Sequence, residues 1–185
     1  AEWVDWMVQA AQLTGQGRHA EAAKLRSAAL ETAPAIGGTI DDESFAWIAD
    51  ADPRLGPLIE AIIDGRYYWI PIEHISAISI EEPTDLRDMV WAPVEFTWRN
   101  GGQSVGLIPT RYPESEFHDD PAIRLAHATD WYQPAEDVEA RWLGLGQRTF
   151  ATDQGFRRLL DTRQVQLQSV ADASHGPRDG ALGHG

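Results

Sequence analysis

The sequence contains no cysteine. That absence removes disulfides, thiolate nucleophiles and zinc–sulfur sites together, and it suits a reducing compartment. Long apolar runs are also missing. None approaches the ~20 residues that a membrane-spanning helix needs, and no basic-then-apolar leader opens the chain. Basic residues are scarce, with 15 Lys and Arg against 29 Asp and Glu, giving a formal charge of −14. Nucleic-acid binders need a basic face to displace counterions, so this balance argues against that class. Arg157, Arg158 and Arg163 form the nearest approach to a basic patch and read as a solvated strand face.

What is present is an ordinary globular balance. The chain has 185 residues, 43% of them hydrophobic and 24% charged, enough for one domain with a real core or a small module plus a domain. It opens at Ala1 already inside an amphipathic pattern, as expected of a fragment whose N-terminal part is missing. Trp3, Trp6, Met7, Ala10 and Ala11 fall on one helical stripe until Gly15-Gln16-Gly17 breaks it. A second, alanine-rich run from Arg18 places Ala22, Leu25, Ala29 and Ala33 on one face, and Pro34 stops it. The two helices resemble one tetratricopeptide unit, with Trp6, Ala10, Leu13, Ala22, Ala29 and Pro34 at its characteristic positions. Arg26 departs from that pattern, standing where an aromatic is usual. One such unit cannot bury its own faces, so it either packs on the following domain or ends an array.

Ile36-Gly37-Gly38 reads as a linker and residues 39–57 as irregular. Pro57 to Ile63 reads as a short helix ended by Asp64-Gly65. Strands follow over 67–72, 75–80 and 89–98, the last with Val94, Phe96 and Trp98 at period two. Asn100-Gly101-Gly102 is the strongest hairpin signal, and 103–108 is its return strand. Asp119 or Asp120 with Pro121 starts a helix expected to reach about Thr129. Residues 133–140 are polar and read as loop. A second hairpin is centred on Asp153-Gln154-Gly155, extended by 163–168, and Val170 to Gly185 reads as a disordered tail.

Gly102-Gln103-Ser104-Val105-Gly106 spells a nucleophile elbow. That device needs a strand-to-helix turn, however, and Ser104 lies inside a return strand, so the match is read as chance. Asp50 and Asp52 could hold a divalent metal, although Asp52-Pro53 also reads as a cap with proline in the first turn. The six histidines are scattered and read as solvated. Gly144-Leu145-Gly146 reads as a turn rather than a dinucleotide loop.

The constellation with most content lies between Phe45 and Pro113, where four of the eight tryptophans are interleaved with Asp, Arg and Pro. Asp85, Arg87 and Asp88 stand beside Trp91, with Arg54, Arg111 and Tyr112 elsewhere in the stretch. They form either Asp–Arg pairs pinning loops or a recognition surface, since Trp, Tyr and Arg anchor interfaces.

Several segments carry a resemblance. They are Gly38-Thr39-Ile40-Asp41, Phe45 to Leu58, Asp64 to Pro71, Asp85 to Pro93, Asn100-Gly101-Gly102, Leu107-Ile108-Pro109-Thr110-Arg111-Tyr112-Pro113, Gly144 to Gln147 and Ala151-Thr152-Asp153. In order and spacing they resemble the ImpE family (also called TagJ), accessory proteins of bacterial type VI secretion systems. The resemblance implies a non-enzymatic adaptor of the bacterial cytoplasm. It would bind the small sheath subunit TssB and link the sheath to its recycling ATPase ClpV. No residue-level contact is carried over from the family.

The expected fold is α+β: a tetratricopeptide-like helical hairpin (1–35) packed on a small antiparallel, barrel-like sheet with short helices (36–168), then a tail (169–185). Arg54, Arg87, Asp88, Trp91, Arg111 and Tyr112 are the expected partner-binding residues, with no cofactor and no metal. The alternative is a metal-dependent hydrolase using Asp50, Asp52 and Asp85.

Overall fold

The structure, a computed structural model, describes residues 1–133 and 142–169. The expected loop at 133–140, beyond Gln133, and the expected tail from Val170 lie outside the described residues.

Two helices open the chain, α1 (Glu2–Gly15) and α2 (His19–Thr32). Gly17, at φ +75°, turns the chain between them, and the Arg18 N–H donates back to the Leu13 carbonyl. Ala10, Ala22 and Ala29 are fully buried, so the small side chains occupy the covered faces as their spacing predicts. Ala11, expected on the stripe, is exposed, and Trp6 is half-buried.

Among the described residues thirteen strands follow. They are β1 (Gly38–Ile40), β2 (Glu43–Phe45), β3 (Ile48–Asp50), β4 (Leu58–Ile63), β5 (Arg66–Pro71), β6 (Ile75–Ile80), β7 (Trp91–Trp98), β8 (Gln103–Pro109), β9 (Thr129–Tyr132), β10 (Leu143–Gly146), β11 (Thr149–Thr152), β12 (Gly155–Arg158) and β13 (Gln164–Leu167). Eight form one antiparallel sheet in the order β2-β1-β13-β6-β7-β8-β4-β5. A three-stranded sheet runs β12-β11-β3, and β9 pairs with β10. The architecture is α+β as expected. The large sheet is open rather than barrel-like, because among the described residues β2 and β5 remain its two edges.

The principal core is aliphatic and β-branched, built around Ile59, Ile75, Ile78, Val94, Phe96, Ile108 and Val165. Phe96 stacks on Trp98 with ring centroids 5.3 Å apart. β4 divides this core from a second one. Ile59 and Ala61 face the principal core, while Leu58, on the opposite face, packs with Trp3, Met7, Ala29 and Trp69. The helical hairpin is therefore seated on the β4–β5 hairpin, which answers how a lone helix pair buries its apolar face.

Several expectations are corrected by this sheet. Residues 58–63 are a strand, not a helix. Asp64 (φ +50°) and Gly65 (φ +71°) both take positive φ, the geometry of a two-residue type I′ hairpin turn joining Ile63 to Arg66. Asp-Gly signals a helix stop and a hairpin equally, and here the pairing partner decides. Replacing Gly65 with Ala is expected to cost about 1–2 kcal/mol through the left-handed backbone alone, since open space surrounds the added methyl. Urea denaturation reads this directly, and no measurable loss would mean that the turn is not as described.

Residues 39–57, expected to be irregular, contain most of β1 and all of β2 and β3, each three residues long. The segment 163–168 does not extend the second hairpin. β13 instead inserts between β1 and β6. The expected helix to Thr129 is only α3 (Pro121–Arg124), capped by the Asp120 carboxylate accepting from the Ala122 N–H at 2.8 Å. Ala126 at φ +57° ends the turn, and β9 begins at Thr129. The two hairpins marked by Asn100-Gly101-Gly102 and Asp153-Gln154-Gly155 form where expected.

Candidate partner-binding surface

The chain from Asp50 to Gly56 makes a tight loop that a buried charge network holds in place. Asp52 is 1% exposed. Its carboxylate accepts from the Arg54 guanidinium at 2.6 and 3.0 Å, from the Arg54 main-chain N–H at 2.8 Å and from the Gly144 N–H at 2.8 Å. Arg54 also donates to the Gly144 carbonyl at 3.0 Å, tying the loop to β10. Asp52 thus caps its turn, as the Asp-Pro signal implies, although the turn does not continue into a helix. The Gly56 N–H bonds the Asp52 carbonyl, and Gly56 leaves at φ +52°.

Asp50 is also buried, accepting from the Tyr112 hydroxyl and the Asp52 N–H, both at 2.8 Å. Arg148 bridges two acids, with Asp50 at 3.6 Å and Glu60 in direct contact, and its guanidinium lies 5.5 Å from the Tyr112 ring centroid. Burial pushes the Asp50 carboxyl up to about 7, against the pull of Arg148 and the Asp52 N–H. Burial, reinforced by the charge of Asp50, also raises the Tyr112 hydroxyl. The bonded set holds three carboxylates and two guanidiniums, so a proton on Asp50 leaves it neutral. That balance agrees with the high cost of an uncompensated buried charge.

Between this network and the helical hairpin lies a cavity of about 200 Å³ whose walls include Arg26, Glu60, Tyr67, Trp69 and Arg148. Arg26 donates to the Thr14 hydroxyl there, which accounts for a charged residue at a position where the helix pattern expects an aromatic.

On the outer side the same loop forms one wall of a groove. It measures about 550 Å³ and is lined by Leu30, Ala33 and Pro34 from the end of α2, Trp47 and Ala49 around β3, Pro53 and Pro57 of the loop, and Trp142. A neighbouring concavity of about 410 Å³ is bounded by Ala51, Trp131, Trp142 and Phe156, so Ala51 and Trp142 belong to both. Trp142 is 57% and Phe156 66% exposed. Trp131 packs between Phe156 and the buried Tyr112, at centroid distances of 6.2 and 5.9 Å. Tyr112 therefore couples the buried charges to the aromatic wall.

The other expected residues lie in a separate turn. Asp85 caps it through the Arg87 N–H at 2.8 Å and the Asp88 N–H at 3.1 Å. Asp88 is buried and accepts from the Thr84 N–H and hydroxyl, both at 3.0 Å, bonds that hold its carboxyl below the usual range. Arg87 is exposed, with 73% of its side chain accessible, and Trp91 is half-buried. Arg111 donates to the Arg124 carbonyl and braces α3. The six residues thus divide between two places in the fold: Arg87, Asp88 and Trp91 in this turn, and Arg54 and Tyr112 in the buried network, with Arg111 beside it.

The aspartates of the hydrolase alternative are not brought together. Asp50 and Asp52 are buried and engaged by Tyr112, Arg148 and Arg54, while Asp85 is exposed and occupied with its own turn. Among the described residues no group of three His, Asp or Glu side chains could hold a metal. Ser104 lies within β8, one residue from its start, with its hydroxyl accepting from the Trp98 indole N–H at 3.0 Å, so it is no elbow nucleophile. Reasoning from sequence missed Glu60, Arg148, Trp142 and Phe156. A lone acid inside the apolar run from Leu58 to Ile63 was the available signal, since a buried carboxylate demands a buried cation.

The protein is thus of the α+β class, and its groove lies between the end of α2, the 51–57 loop and the three-stranded sheet. The chain belongs to the ImpE family, whose model matches residues 42–166. It is 44% identical over 169 residues to the type VI secretion system accessory component TagJ of Pseudomonas aeruginosa, covering 91% of this chain and 57% of that protein. The crystal structure of protein VPA1032 from Vibrio parahaemolyticus superposes with a TM-score of 0.80 at 27% identity, covering 91% of this chain and 62% of that one. The chain thus spans less than two thirds of either relative. Among its described residues no helix is long and apolar enough to cross a membrane.

Proposed function

We propose that this protein is a non-catalytic adaptor that grips a partner segment in the groove and the adjoining concavity, walled by Trp47, Trp142 and Phe156. The observation that carries this reading is the exposure of Trp142 and Phe156 side by side on a braced wall, because clustered exposed aromatics on a folded protein mark an interaction site. The occupant is an apolar segment with basic flanks, complementary to a chain of net charge −14. In the secretion system we assign this segment to the small sheath subunit TssB, in the bacterial cytoplasm, with ClpV reached through the same complex. The helical hairpin acts as one tetratricopeptide-like unit whose last turn, at Leu30 and Ala33, forms the groove's rim. Arg87 and Trp91 supply a second contact, with Asp88 holding their turn from beneath. Arg54, Arg111 and Tyr112 stiffen the loop, α3 and the wall rather than meeting the partner.

Calorimetric titration with a peptide of the sheath subunit's N-terminal helix tests the reading. The double change Trp142→Ala, Phe156→Ala is expected to weaken binding at least tenfold with the melting temperature unchanged, since both side chains are mostly exposed. Arg87→Ala should weaken it several-fold. Unaltered affinity in the double variant would reject the groove as the site.

A further inference from the structure

The second edge of the large sheet has a property that the adaptor reading does not use. β5 is six residues long and pairs with β4 on one side, while among the described residues no strand pairs with its other side. The two-residue turn at Asp64-Gly65 makes Ile63 and Arg66 a hydrogen-bonded pair, and the Ile72 N–H donates to the Pro57 carbonyl at 3.0 Å in the same phase, so the Ile62↔Tyr67 pair between them is not a hydrogen-bonded one. By alternation, Arg66, Tyr68 and Ile70 turn their main-chain groups toward β4. Tyr67 and Trp69 turn theirs outward, with Pro71 ending the row without a donor.

The usual protections of an edge are absent here. Natural edges are kept short, charged or bulged. The opposite edge, β2, has three residues beginning with Glu43, and the edge strand β12 carries Arg157 and Arg158. β5 offers Arg66-Tyr67-Tyr68-Trp69-Ile70 with a single charge, at its end. Tyr67 is 58% and Tyr68 41% exposed, so the helical hairpin on this sheet face leaves the edge open.

We propose that β5 pairs antiparallel with β5 of a second copy across a two-fold axis at Tyr68, joining the two eight-stranded sheets. The register is self-complementary. Tyr67 of one copy faces Trp69 of the other, each exchanging both main-chain bonds, and the symmetric pair doubles this to four bonds. Arg66 meets Ile70, so no like charges face each other within the ladder. Tyr68 meets Tyr68 at the closely spaced, non-hydrogen-bonded position, where aromatic pairs pack well. Centring the axis on Trp69 instead would set Tyr67 against Pro71, which lacks the donor. The contact opposes two chains of charge −14 each, so association is weak at low salt and strengthens as salt screens the repulsion.

Sedimentation velocity of the full chain, at concentrations up to about 100 μM and at low and high salt, tests this. The expected result is a monomer–dimer equilibrium between 20.5 kDa and twice that mass, with the dimer fraction rising with salt. Tyr68→Lys sets like charges opposite one another, and Tyr67→Pro deletes an outward donor while leaving the β4 ladder intact. Each variant should be monomeric with an unchanged circular dichroism spectrum. A wild-type chain that stays monomeric throughout overturns the proposal, as does a dimer that persists in both folded variants. This result is independent of peptide binding in the groove.

Discussion

Asp52→Ala is expected to destabilise the protein by about 3–5 kcal/mol, the cost of removing one partner from a buried ion pair. For a chain of this length that corresponds to a fall in Tm of about 10 °C. The loss is large because Asp52 is where two parts of the fold are joined. It neutralises Arg54, which also bonds the Gly144 carbonyl, and it accepts the Gly144 N–H. Without it, a largely buried guanidinium and a buried main-chain donor lose their partner together, and the loop loses its anchor on β10. Arg54→Ala should cost a similar amount by stranding the Asp52 charge. Because each single change leaves the other charge unpaired, the double variant should recover part of the loss. Guanidinium denaturation of the four proteins measures the cycle. Strict additivity, or a loss near zero for Asp52→Ala, would show that the pair does not bear on stability.

How much of this was legible beforehand depended on whether the signal was local. The Asn100-Gly101-Gly102 turn needs positive φ at Gly101, a property of three consecutive residues, and it was readable. The alanine faces of α1 and α2 were readable for the same reason. Residues 58–63 were not, because Asp64-Gly65 ends a helix as readily as it turns a hairpin, and only the distant pairing of Ile62 with Leu107 settles which. The short strands β1 to β3 carry too few residues to show a period at all. For the candidate site, the Asp–Arg–Tyr composition was visible but its division was not. Asp52 finds Arg54 two residues away, whereas Asp50 finds Arg148 and Tyr112 across the fold. The aromatic wall takes Trp131, Trp142 and Phe156 from three separate strands or their flanks, and no spacing rule joins them.

Stability should fall as pH rises from about 4 to about 7, and Asp50 is the cause. Its folded pKa of about 7 lies above the unfolded value near 3.9. The folded state therefore holds a proton that the unfolded chain has released within that window. A group raised in this way contributes fully below the unfolded value and loses its contribution as pH climbs through the folded one. Three pKa units set an upper bound of about 4 kcal/mol. The depressed carboxyls of Asp88 and Asp153 act in the opposite sense but at lower pH, where their contribution is lost as they protonate, so the two effects separate. Asp50→Asn isolates the effect, because the amide oxygen can still accept from Tyr112 and the Asp52 N–H without carrying charge. At pH 4.5 the variant should be slightly less stable than the wild type, and at pH 7.5 equally or more stable. Denaturant titrations at these two values measure the crossing, and parallel pH profiles for the two proteins would mean that Asp50 is already ionised in the fold. The crossing matters for the groove as well. Asp50 lines it and, through Tyr112, supports Trp131, so ionisation adds a buried negative charge directly under the wall that is proposed to hold the partner.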